Sequence, residues 1–222
     1  MKVRIALLFL VVAAVAVAFL SRPSGSAEGP PVSTDAVRVG VAPMSSIPDY
    51  VGTAGAKLAA LPAGDSYALV AFTTYVAPAR LPELLAGTAA AEVVARVPLP
   101  GEQTEILRIP ARQLPDDVTA GMIRVAERKE REVVAYRSRE ASEQNLTGAA
   151  DRAAAEAAEL RAGCVCIYAA FVRASRDALV TLGTREGVRV VDPAPEVTDP
   201  VRTVLLPPLP DQTDLARPPS GR

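Results

Sequence analysis

This chain of 222 residues contains no histidine and no tryptophan, and only 4% of it is aromatic. Without histidine it lacks the commonest general base, the Ser-His and Cys-His nucleophile pairs, and the usual nitrogen ligand of zinc. So few rings leave little to stack against sugars. An excess of charge of one sign is also missing. The 24 basic residues meet 25 acidic ones for a net charge of −1, so no nucleic-acid partner is expected. The phosphate-binding glycine loops and the Gly-x-Ser-x-Gly elbow are absent. Two cysteines alone fall short of the usual four ligands of a structural metal. No catalytic, metal or cofactor-binding residue is therefore expected, and no cofactor.

Lysine is nearly absent too: only Lys2, Lys57 and Lys129 occur among the basic residues, the rest being arginine. Together with abundant alanine, valine and proline, this is the composition of a GC-rich, bacterial genome. What the chain does have is an apolar run over residues 5–20 (IALLFLVVAAVAVAFL), preceded by Lys2 and Arg4. Such a run belongs in a bilayer, with its basic flank on the cytoplasmic side. Two readings stay open for residues 1–22. A retained transmembrane anchor is favoured because residues 3–20 nearly reach the roughly 20 needed to span hydrocarbon. A signal peptide cleaved after Ala27 would instead release the rest. Either way the following chain is expected outside the cytoplasm, single-pass and attached to the cytoplasmic membrane in the first case, secreted in the second.

Residues 23–35, rich in Pro, Ser and Gly, read as a flexible tether. An extracytoplasmic domain is expected over residues 36–192, with a helical insertion at 116–162 and a proline-rich disordered tail at 193–222. Val37, Val39 and Val41 alternate as in a strand. Residues 47–61 carry helical spacing and close on Pro62-Ala63-Gly64-Asp65. YALVAFTTYV (67–76) and CVCIYAAFV (164–172) are apolar on both faces, as central strands are. Each is followed by an Arg-containing break, a short helix and a valine-rich strand, so two βαβ units flank the insertion. The order strand–helix–strand–strand–helix–strand over residues 67–172 resembles the ferredoxin-like split βαβ arrangement. The fold class implied is α+β, or α/β, with ferredoxin-like βαβ units forming one sheet and a long helical pair inserted.

The insertion begins at Asp116 and holds a thin apolar stripe interrupted by Lys129. So thin a stripe predicts a pair that projects from the sheet more than it packs flat on it. Its charged face offers Arg124, Arg128, Arg131 and Glu132 with Tyr136 as candidate partner-binding residues. Cys164 and Cys166 are the candidate redox or disulfide pair. In an extended strand they lie too far apart for an unstrained bond, which favours two small packed residues. The functional expectation is a non-enzymatic, membrane-anchored interaction or assembly domain of the cell envelope with a protein partner. The alternatives are an envelope enzyme working through paired carboxylates and a small-molecule-binding sensor.

Overall fold

A computed structural model describes residues 36–140, 146 and 148–218. The expected anchor, tether and cleavage site at residues 1–35 lie outside these. Among the described residues no helix is long and apolar enough to cross a membrane.

The described chain is α+β: seven strands in two sheets, with five α-helices. In order these are β1 (Val37–Gly40), α1 (Ile47–Ala60), β2 (Asp65–Val76), α2 (Leu81–Leu84), β3 (Ala89–Ala95), β4 (Leu107–Pro110) and α3 (Asp116–Glu140). They continue with α4 (Ala149–Arg161), β5 (Ile167–Ser175), α5 (Arg176–Gly183), β6 (Val188–Ala194) and β7 (Thr203–Leu206). The larger sheet has the order β4-β3-β5-β2-β6, antiparallel throughout. β2 and β3 are thus parallel to each other with β5 between them, and β5 and β6 are parallel with β2 between them. The two βαβ units interleave, each filling the gap in the other, and β4 extends one edge.

Local chemistry starts these elements where the pattern places them. The Ser46 hydroxyl accepts from the Asp49 N–H to cap α1, and Ser175 accepts from Ala178 to cap α5. Ahead of α3, the Asp117 carboxylate accepts from the N–H groups of Arg112 and Gln113 and folds the approach to the helix. Alternation along β2 sends Ala68, Val70 and Phe72 to one face, where they pack with Leu81, Val118, Met122, Leu160, Leu179 and Leu182 in one core cluster. Leu69 goes to the other face with Tyr168 and Phe171, under Val39, Val197 and Leu209. Helices α2 to α5 therefore cover one face, while β1, α1 and the C-terminal segment cover the other.

Three expectations are corrected. The helical pair does not merely project: Val118, Met122 and Ala126 of α3 and Ala157 and Leu160 of α4 are core residues. Its stripe looked thin because alanines carry much of the contact, and small residues let the helices approach closely. Only α3 beyond Lys129 turns mainly outward, with Val134 72% exposed. The proline-rich end is not a disordered tail over its described part, since β7 pairs in parallel with β1. Val197, Leu209 and Ala216 are buried. Proline forbids a central strand but not a short edge strand, and β7 fits between Pro200 and Pro207. Backbone bonds from Ile47 to Asp214 and from Met44 to Ala216 tie the segment to the start of α1.

The third correction concerns Cys164 and Cys166, which are disulfide-bonded. They precede β5 rather than lying within it, and the bend at Val165 brings their Cα atoms to 5.3 Å, inside the range a disulfide needs. Both remain buried, so the pair is a packing element as well as a bond.

Candidate functional site

Helix α3 crosses the edge strand β4 at Gly121, and the closeness of that crossing requires glycine. A Cβ on Gly121 would overlap Cγ2 of Ile109 in β4. The close approach leaves a shallow groove of about 280 Å³ between strand and helix. Arg108 of β4 and Arg124, Arg128 and Arg131 of α3 line it, with Val125 on its floor. The spacing of 124, 128 and 131 is that of one helix face, and alternation on β4 turns Arg108 toward solvent while Ile109 goes to the core.

Two of these four guanidinium groups are neutralised. Arg108 forms a bidentate pair with Glu92 on the neighbouring strand and also donates to the Thr203 carbonyl at 2.7 Å. Arg128 grips both carboxylate oxygens of Glu105 at 3.0 Å and pairs with Glu132 at 2.6 Å. Arg124 and Arg131 take part in none of the ion pairs among the described residues. The groove therefore carries uncompensated positive charge on a rigid crossing of helix and strand.

Beside it lies the Lys129 network. In sequence Lys129 interrupts the apolar stripe of α3, yet its side chain is only 8% exposed. Its ammonium reaches Glu105 and Glu156 at 2.9 Å each and Glu132 at 3.5 Å. Glu156 of α4, itself buried, also accepts from the Glu105 N–H at 3.1 Å. Desolvation alone would push the Glu105 carboxyl up. Hydrogen bonds from Lys129 and Arg128, with their charge, outweigh it and hold the group below its ordinary range. Desolvation likewise works against the Lys129 ammonium, but its bonds to Glu105 and Glu156 raise it above the usual lysine value. These two carboxylates share one ammonium, which keeps Glu105 ionised. A general acid needs the opposite shift.

Of the partner-binding candidates, the structure brings Arg124, Arg128 and Arg131 to one groove. Glu132 pairs with Arg128 at 2.6 Å and reaches Lys129 at 3.5 Å, joining the groove to the Lys129 network, and Tyr136 sits farther along the outward part of α3, half-buried. Cys164 and Cys166 lie elsewhere, at the start of β5. Sequence reasoning missed Arg108 and Gly121. The one signal for them was a lone glycine inside a helical pattern, the mark of a close backbone approach. Among the described residues no cluster of three or more His, Cys, Asp or Glu could hold a metal ion.

No protein family, curated protein or solved structure matches this chain.

Proposed function

We propose that this is a non-enzymatic interaction or assembly domain of the bacterial cell envelope, held on the outer face of the cytoplasmic membrane by its N-terminal apolar segment. The domain is, on this reading, a ferredoxin-like pair of split βαβ units enlarged by β4 and the helical pair. Its contact surface is the arginine groove, and the partner is a protein offering an acidic stretch to Arg124 and Arg131. The observation that carries this reading is that Arg124 and Arg131 make no ion pair among the described residues, beside two arginines that do. Arginine presents a planar fork that grips carboxylates in pairs, so a rigid row of such groups selects acidic side chains. The Lys129 network supports the non-enzymatic part, because its carboxylates neutralise an ammonium rather than facing each other across a cleft.

The test is photo-crosslinking in intact cells from position 131 of the full-length chain. A discrete adduct is expected whose partner contributes an acidic segment, and which disappears in the R124E variant while surviving R124K. An adduct insensitive to R124E, or none at all, overturns the reading. A C-terminal topology reporter active only in the cytoplasm would overturn the anchoring.

A further inference from the structure

On the other side of the sheet the C-terminal segment closes over a second cleft, of about 520 Å³, in the size range of small-molecule sites (roughly 300–1,000 Å³). We propose that this cleft binds a small organic monocarboxylate, its carboxylate on the Arg96 guanidinium and its apolar body against Leu99, Leu209 and Leu215. The proposal is independent of the arginine groove.

Arg96 follows directly on β3, and its N–H donates to the Cys166 carbonyl at 2.9 Å, which fixes the backbone against the disulfide-bonded approach to β5. The side chain is 7% exposed. Its Nη2 donates to the Glu102 carbonyl at 3.0 Å, while the buried Nε has no acceptor among the described residues. Arg96 belongs to none of the ion pairs among the described residues, and the nearby Glu102 carboxylate is engaged by Arg152 at 2.9 Å. The Tyr75 hydroxyl, on the cleft wall, is buried beside the same guanidinium, whose charge acts on it, but makes no hydrogen bond of normal geometry among the described residues; its ring is held edge-on against Tyr168 with centroids 5.9 Å apart.

Arginine does not give up its proton, so this charge persists whatever surrounds it. A buried guanidinium without a counter-ion is among the costliest arrangements a fold can hold. The cleft supplies hydrogen-bonding capacity and apolar wall but no anion within ion-pair distance of Arg96, so the chemistry that completes it is an anion. Two features narrow the class. The single interior positive charge matches a single negative one. Exposed Asp211 and Asp214 also line the cleft, with one exposed arginine, Arg217, and would repel a doubly charged phosphate. A planar carboxylate also fits the guanidinium fork.

The full-length protein in a neutral sugar detergent is titrated with hexanoate and 3-phenylpropanoate, using hexanol and inorganic phosphate as comparators. Melting temperature and saturation-transfer NMR of each probe are the readouts. Both carboxylates are expected to bind and to raise the melting temperature with concentration, with hexanol and phosphate weaker by about tenfold or more. R96M replaces a buried charge by an apolar chain, so it should melt no lower than the parent without ligand, yet lose carboxylate affinity by about tenfold or more. Should R96M not fold, R96K and Y75F carry the test, each with weakened carboxylate binding. Absence of carboxylate binding at millimolar concentration overturns the proposal. So does phosphate or hexanol binding as tightly, and so does unchanged affinity in R96M, or in both R96K and Y75F.

Discussion

Replacing Lys129 by Met tests whether the ionic cluster under α3 and α4 holds the helical pair to the sheet. At 2.9 Å from Glu156, the ammonium gains about 6 kcal/mol of Coulomb attraction at an effective dielectric near 20. Desolvation of two nearly buried side chains offsets most of that. What the substitution exposes is therefore not the gross attraction but the penalty of stranding Glu156, 5% exposed, without its cation. Breaking a buried pair from one side costs about 3–5 kcal/mol. Met keeps most of the lysine side chain's volume, so the expected loss is electrostatic. The double variant K129M/E156Q removes both charges and keeps an oxygen to accept the Glu105 N–H. It should recover all but about 1–2 kcal/mol. Urea unfolding followed by circular dichroism at neutral pH reads both values. The pH dependence gives an independent check. The raised Lys129 pKa means its contribution is in place below the unfolded-state value and lost as pH rises through the folded one. Parent stability should therefore fall more steeply than that of K129M in alkali. A K129M loss under about 1 kcal/mol, or a double variant no better than the single, would refute a buried charge pair at this site.

Gly121→Ala should destabilise the domain by about 1–3 kcal/mol, because the added methyl meets Ile109, and Ile109→Ala in the same chain should recover part of the loss. A melting temperature unchanged by Gly121→Ala would show that α3 does not press on β4. The mass of the native protein should be lighter than the fully reduced chain by two hydrogens. Reduction should cost only about 1–2 kcal/mol, as expected for so short a loop between cysteines two positions apart. An unchanged mass on reduction would mean free thiols. Replacing residues 134–148 by a short Gly/Ser linker should leave a cooperative fold, while replacing 124–160 should abolish it, since the longer deletion removes Ala126, Ala157 and Leu160 from the core. Limited proteolysis distinguishes the two outcomes.

The interleaved strands were legible because their signals were local and redundant. YALVAFTTYV and CVCIYAAFV lack a polar face, which places them inside a sheet covered on both sides, and β2 and β5 are those strands. The cap Ser175 was equally readable, a hydroxyl residue before an apolar period. The C-terminal segment was not, because its prolines suggest extension, and extension alone does not say whether a surface awaits it. Val197 stands between Glu196 and Thr198, Leu209 between two prolines, and Ala216 beside Leu215, spaced by no period. They gain burial only from a sheet face assembled by residues far earlier in the chain. The cysteines failed for a related reason: their separation was judged on an extended backbone, and the bend at Val165 precedes the strand.

Lys129 and Arg96 show why buried charge is the hardest site feature to read from one sequence. Both are buried cations, and in each case the apolar pattern presents a break. A break on a helix face reads as solvent, because an isolated lysine is seldom buried. The partners that make burial tolerable for Lys129 lie at Glu105 and Glu156, on a loop and on another helix, and no spacing in the chain connects them. Arg96 has no such carboxylate partner among the described residues; its guanidinium meets the Glu102 carbonyl instead. Fold patterning follows apolar area, which is roughly additive along the chain. An ion site follows from convergence of distant polar groups, which only the assembled sheet, with its helical layer on one face and its C-terminal cover on the other, brings about.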